Sequence, residues 1–326
     1  LASWGNIVAI PELPSIDLNE DVRPSDIQVL FSYLKAENAR TDSLFFNQID
    51  TNRLGLTGHS LGGLNTLMVA ALSDPSLMAG VALDPAGGPL SSWDYEAELP
   101  QVTTPMLVIG SEVKSETCNS NAIYNDMFPY IGATHTMKLT IVGGSHCDFM
   151  DADTDDSEIS FCYLLCGGDS DGREQRLELA EAYSAAWFNY YVQLDTDYYH
   201  YLYGDIAEQD VQAGRITREL HTAPRDVVAT GRAGAVELDW TLYDHPIIAG
   251  YNIYRSQGTG DASFALYAQV GRVSSYLDTD VVHGQEYHYV LRSRDAAGNE
   301  HEPSPEVSAT PLGSAHSVYL PLGLKP

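Results

Sequence analysis

Between Leu54 and Leu72 the chain reads LGLTGHSLGGLNTLMVAAL, and this stretch restricts the fold more than any other. Its first residues are a short apolar run of the kind that forms a buried strand. Leu64, Leu67, Met68, Ala71 and Leu72 then recur at i, i+3, i+4, i+7 and i+8, the spacing of one helix face. Between strand and helix lies Gly58-His59-Ser60-Leu61-Gly62, followed by Gly63. Only a glycine-rich turn reverses a strand into a helix within so few residues. The predicted unit is therefore strand, sharp turn, helix, with Ser60 at the turn.

The first two-thirds of the chain repeats that alternation. Strands are predicted at Asn6–Glu12 (NIVAIPE) and in RLGLTG, GVALDP, PMLVIG and MKLTIVGG. A helix with an S-x-x-Q capping box at Ser25 and Gln28 carries Ile27, Leu30, Phe31 and Leu34 on one face. Further helices are expected near Ala122–Tyr130 and over about Arg173–Leu194. Such alternation predicts an α/β fold, a mostly parallel sheet with helices on both faces. Near Ala223 the pattern changes. VELDW, GYNIYRS, YAQVG, EYHYVLRSRD and SPEVSATP are short strands separated by turn residues, as in an all-β sandwich. The expected domains are 1–222, 223–312 and a short apolar tail, 313–326.

Ser60 has distant partners of the right type. Asp84 ends the GVALDP strand and His146 follows the MKLTIVGG strand, so both fall at strand C-termini. A serine hydroxyl is a weak nucleophile until an imidazole takes its proton, and the imidazole needs a carboxylate to fix its tautomer. The order Ser60, Asp84, His146 suits a nucleophile elbow, with the Leu61 N–H as an oxyanion donor at the helix N-terminus. His59 is read as a locally packed neighbour, and His135 and His200 as surface residues. Trp93, Tyr95, Phe149 and Met150 flank the acid and the base and are candidate pocket residues. The chemistry calls for no metal and no organic cofactor.

Charge and cysteines narrow the setting. The net charge of −28 argues against nucleic acid and anionic membranes, which select basic patches. No apolar run approaches the roughly 18–20 residues of a membrane span. Cys118, Cys147, Cys162 and Cys166 fit two disulfides and a secreted, oxidising setting, with all three pairings open. A zinc site is the rival reading, but beyond Cys162 and Cys166 a second closely spaced cysteine pair is lacking. Asp169, Asp171 and Glu178 around Gly172 approach calcium-loop spacing, yet Gly167 stands at the first ligand position.

LASWGNIVAIPEL, IDTNRLGLTGHSLGG, TPMLVIGSE and GGSHCDFMDADTDD resemble the α/β-hydrolases of the chlorophyllase, dienelactone-hydrolase and polyester-hydrolase group over residues 1 to about 205. That resemblance implies a serine esterase or lipase-like enzyme acting on small or polymeric esters. In cutinase-like members the acid follows the strand corresponding to LVIG; here Lys114 stands there, leaving Glu112 as the substitute. Chlorophyllases and pancreatic-type lipases carry the acid in an L-D-P segment, which Asp84 matches. NIVAIPE resembles the fourth strand of the fold. The first three strands are then expected upstream of Leu1, with the second oxyanion donor. Residues 223–312 resemble a fibronectin type III module, with Trp240 at the strand B tryptophan and Tyr287 and Tyr289 on strand F. Such a module implies a spacer or a contact with a polymer or cell surface. An inactive adhesion protein and a serine peptidase on the same fold are the competing expectations.

Overall fold

The computed structural model describes residues 1–10, 24–86, 93–115, 117–118, 124–133, 135–150, 154–242, 245–257 and 264–313. The expected tail beyond Gly313, Pro11 and Glu12 of the first predicted strand, and the start of the helix expected near Ala122 lie outside the described residues. The chain divides into two compact units, Leu1–His221 and Thr222–Pro326.

The elements of the first unit are α1 (Pro24–Ala39), β1 (Leu54–His59), α2 (Leu61–Ala71), β2 (Leu77–Leu83), α3 (Tyr95–Glu98), β3 (Met106–Ser111), α4 (Tyr124–Met127), β4 (Thr136–Ile141), α5 (Asp156–Cys166), α6 (Arg173–Tyr191), α7 (Tyr199–Leu202), α8 (Asp205–Gln212) and β5 (Ile216–Leu220). The strands form one five-stranded sheet in the order β1-β2-β3-β4-β5. The first four are parallel, and β5 is antiparallel to β4. The sheet is thus mixed at its end. The strand ITREL was not anticipated because only its ends, Ile216 and Leu220, are buried, while charged residues occupy its middle. Such charges suit an edge strand, and Lys138 on β4 pairs with Glu219 across it at 2.6 Å.

Period-two alternation gives β2 and β3 two buried faces. Ala82, Met106 and Val108 join a core with Ile27 and Phe31 of α1 and Leu64, Leu67 and Ala70 of α2. The alternate residues Val81, Leu107 and Ile109 are also fully buried, and α6 packs across β2, β3 and β4. Helices therefore cover both faces. α1 begins at Pro24, so Ser25 lies inside the helix and is not its N-cap. Proline suits the first helical turn because its missing N–H would have no acceptor there.

The strand expected at Asn6–Glu12 is corrected. Asn6 to Ile10 make no strand, and Ile7, Val8 and Ile10 are exposed. A strand buried on both faces needs hydrogen-bonded neighbours. Among the described residues no strand pairs with this run, and β1 borders the sheet.

The second unit pairs its named strands antiparallel, and an isolated parallel bridge joins Ala233 to Leu312. Its strands are β6 (Val228–Arg232), β7 (Ala235–Asp239), β8 (Gly250–Ser256), β9 (Ala265–Val270), β10 (Ser275–Asp278), β11 (Tyr287–Arg294), β12 (Glu300–Pro303) and β13 (Val307–Ala309). One sheet runs β10-β7-β6; the other runs β12-β11-β8-β9, with β13 also on β11. Val236, Leu238 and Trp240 from the first sheet meet Tyr251, Ile253, Tyr289 and Leu291 from the second in one core. This is a sandwich loosely resembling fibronectin type III. The Tyr287 hydroxyl accepts a 3.0 Å bond from the Val282 N–H, fixing the corner before β11.

Candidate active site

Ser60 stands between β1 and α2 with φ 58 and ψ −121. That left-handed backbone costs of order 1–3 kcal/mol for a non-glycine residue and persists only where its surroundings enforce it. Here the Ser60 N–H donates to Leu83 O at 3.0 Å, and Ser60 O accepts from the N–H groups of Leu64 and Ala86 at 3.0 and 3.1 Å. Two glycines make room for the turn. A Cβ on Gly58 would lie 2.4 Å from the Gly62 backbone, and one on Gly63 would lie 2.8 Å from Leu83 O. Leu61 is the first residue of α2, so its N–H belongs to the helix-terminal amides that have no intrahelical acceptor.

Asp84 follows β2, fully buried, with φ 36. Its N–H donates to Ile109 O at 2.6 Å. Its carboxylate accepts from the Ser111 N–H at 2.9 Å and the Ser111 hydroxyl at 3.0 Å. Oδ2 lies 2.6 Å from His146 Nδ1, and His146 Nε2 lies 3.0 Å from Ser60 Oγ. A carboxylate only accepts, so Nδ1 carries the proton and Nε2 offers a lone pair to the Ser60 hydroxyl. The structure brings Ser60, Asp84 and His146 together at the carboxyl ends of parallel strands. Glu112 is elsewhere: exposed, it accepts from the Gly143 N–H at 2.8 Å.

His59 packs against this chain. Its ring lies 4.5 Å from that of His146 and 5.8 Å from that of Phe149, and its buried Nε2 has no hydrogen-bond partner among the described residues. Burial, and next the nearby His146, hold its pKa down at about 4. A neutral His59 adds no charge against the imidazolium that forms when His146 takes a proton. Of the other candidates, Phe149 is buried and Met150 is half-buried. Trp93 and Tyr95 instead pack on the core beneath α2. His135 bonds Tyr191, His200 bonds Asp205, and His221 stacks on Phe128.

Sequence reasoning missed Ser111, the last residue of β3. The only signal was a hydroxyl at the strand end facing the neighbouring L-D-P turn. Tyr124 holds Ser111 in turn, donating to its carbonyl at 2.7 Å. The cysteines pair as Cys118–Cys166 and Cys147–Cys162, so the second bridge begins at the residue after His146. The thiol grouping that suggested zinc is these two bridges meeting, with Cys162 and Cys166 sulfurs 3.8 Å apart. At the calcium-like spacing, the Arg176 guanidinium occupies the carbonyls of Asp169 and Asp171 at 2.9 and 2.6 Å. A cavity of about 650 Å³ lined by Leu179, Tyr183, Ile206 and Arg215 lies apart from Ser60.

A mixed sheet with a serine elbow after β1, a carboxylate after β2 and a histidine after β4 is the build of an α/β-hydrolase. The chain belongs to the PET hydrolase-like family, whose profile matches residues 1–217. It is similar to bis(hydroxyethyl) terephthalate hydrolase of Streptomyces coelicolor, 34% identical over 34% of this chain and 32% of that protein. It is also similar to cutinase est2 of Thermobifida alba, 31% identical over 45% of each. The chain thus spans a third to under half of these two relatives. A solved Fn3-like protein from Clostridium thermocellum aligns with 29% of this chain and 95% of its own at 24% identity and TM-score 0.24. No helix among the described residues is long and apolar enough to cross a membrane.

Proposed function

We propose that this chain is a secreted serine carboxylic-ester hydrolase, with Ser60 as nucleophile, His146 as general base and acid, and Asp84 as the group that orients His146. One observation carries the reading: the unbroken chain from the Asp84 carboxylate to His146 at 2.6 Å and on to Ser60 Oγ at 3.0 Å. Ser60 Oγ attacks the ester carbonyl while its proton passes to Nε2, and Asp84 steadies the resulting imidazolium. The Leu61 N–H donates to the oxyanion, a contact of a kind worth roughly 10²–10³ in rate. His146 then protonates the departing alcohol. Water, deprotonated by the same imidazole, releases the acid and restores Ser60.

The relatives named for terephthalate ester and cutin hydrolysis favour small aromatic diesters and polyesters as substrates. An acid in the L-D-P segment favours the chlorophyllase-like branch of the group. Two disulfides favour an oxidising, extracellular setting. We assign residues 1–222 to the hydrolase and 223–312 to a fibronectin type III module that contacts a polymer or cell surface. Hydrolysis of p-nitrophenyl acyl esters and bis(hydroxyethyl) terephthalate by the chain and by Ser60→Ala tests this. The reading requires activity in the first protein and its loss in the second. Equal rates refute it, and cleavage of peptides without cleavage of esters makes the chain a peptidase.

A further inference from the structure

His146 stands in a short 3₁₀ turn, His146–Phe149, which has little backbone bonding of its own. Whatever fixes this turn fixes the distance from Nε2 to Ser60. Two residues on, Asp148 is almost fully buried at 1% exposure. Its carboxylate accepts from the Ser145 N–H at 2.7 Å, Arg176 Nε at 2.7 Å, Arg176 Nη2 at 3.2 Å and the Tyr163 hydroxyl at 2.6 Å. The buried charge is thus paired and hydrogen-bonded on both oxygens, the condition under which such a group is held in one place. Burial, and then its bond to Asp148, push the Tyr163 phenol up to about 12, so it remains a neutral donor. The donors come from three places: the loop itself, α5 and α6. Arg176 is in turn held by the carbonyls of Asp169 and Asp171. Arg173, one turn earlier on α6, ties the far end of the loop through Met150 O at 2.8 Å.

We infer that Asp148 is a positioning residue for the reaction: it locks the His146 turn onto α5 and α6 and so keeps Nε2 on Ser60 Oγ. This rests on the proposed role of Ser60, His146 and Asp84. Nothing in the ester chemistry needs a second buried carboxylate, and Asp148 touches none of those three side chains through any of its four bonds. Its effect is transmitted through the backbone on either side of His146.

The test uses the full chain with Asp148→Asn and, as a milder variant, Tyr163→Phe. For Asp148→Asn, kcat falls about 10–100-fold with KM within twofold, since a displacement near 1 Å costs on the order of 10² in rate. Tyr163→Phe lowers kcat less, in the same direction. The second readout is the far-downfield proton resonance of His146 Nδ1–H against Asp84, which shifts or broadens in both variants while the circular dichroism stays that of the wild type. A resonance and kcat at wild-type values in a folded Asp148→Asn chain overturn the inference. Should that variant fail to fold, the same two values in Tyr163→Phe overturn it. If the wild type shows no Ser60-dependent hydrolysis, the esterase reading fails instead, and the resonance still reports whether Asp148 holds His146.

Discussion

Replacing Asp84 by Asn inverts the hydrogen bonding behind His146 without changing its shape. In the wild type, the Ser111 N–H and hydroxyl both donate to the Asp84 carboxylate, and His146 Nδ1–H donates to Oδ2. An asparagine offers one oxygen. With the Ser111 N–H retained on that oxygen, the amide NH2 replaces Oδ2 and faces Nδ1 across 2.6 Å. Two donors cannot share that contact, so the imidazole moves its proton to Nε2 and presents N–H to Ser60. The base is then lost. A triad in the wrong tautomer loses roughly 10⁴ in kcat, or about 5 kcal/mol of transition-state stabilisation. Steady-state hydrolysis of p-nitrophenyl butyrate at pH 8 measures this directly, with KM expected within a few-fold. Glu112→Gln is the companion, because Glu112 bonds the Gly143 amide; its kcat stays within twofold. An Asp84→Asn enzyme within tenfold of the wild type, or a Glu112→Gln enzyme equally impaired, refutes the assignment of the acid.

Three other perturbations follow from the same contacts. Unfolded His59 takes a proton below about 6.5 and folded His59 only below about 4, so stability falls as pH drops through that interval, by up to about 3 kcal/mol. Urea melts at pH 7.5 and 4.5 should show this loss, and His59→Gln should remove most of it. The Cys147–Cys162 and Cys118–Cys166 bridges close separations of 15 and 48 residues. On chain-entropy grounds they contribute about 3 and about 4 kcal/mol, so each paired Cys→Ser variant should melt earlier, the longer loop the more. In the second unit, fully buried Asp278 accepts from Arg255, Tyr267 and Tyr289 at 2.8, 2.7 and 2.7 Å. Asp278→Ala strands those donors and should cost about 3–5 kcal/mol in a denaturant melt of that unit, while p-nitrophenyl ester hydrolysis stays unchanged.

The elements legible in the sequence were those whose signal is local. Gly58, Gly62 and Gly63 announce a turn that no residue with a Cβ could make at Gly58. The strands of β2, β3 and β4 are apolar because both sheet faces are covered, and that burial is written in consecutive residues. Misreadings arose where the outcome depends on a neighbour. NIVAI has the composition of a buried strand but makes none, since pairing decides and composition does not. β5 is hidden because an edge strand tolerates charge. α5 went unread because its first residues, Asp156 to Glu158, are polar and acidic; Asp155 caps this turn by accepting from the Ser157 N–H at 2.8 Å. Asp84, Ser60 and His146 could be nominated because each ends a recognisable strand. Ser111 and the Asp148–Arg176–Tyr163 group could not, because their partners lie 15 to 28 residues away on elements with no shared motif.

The proposed chemistry depends on Ser60 being made nucleophilic by His146. A fluorophosphonate that labels activated serines, followed by peptide mass mapping, measures that property without any choice of ester. The expected result is one adduct, on Ser60, formed rapidly in the wild type and slower by at least about 10³ in His146→Ala. Labelling at another serine, or a rate unaffected by loss of the imidazole, contradicts it.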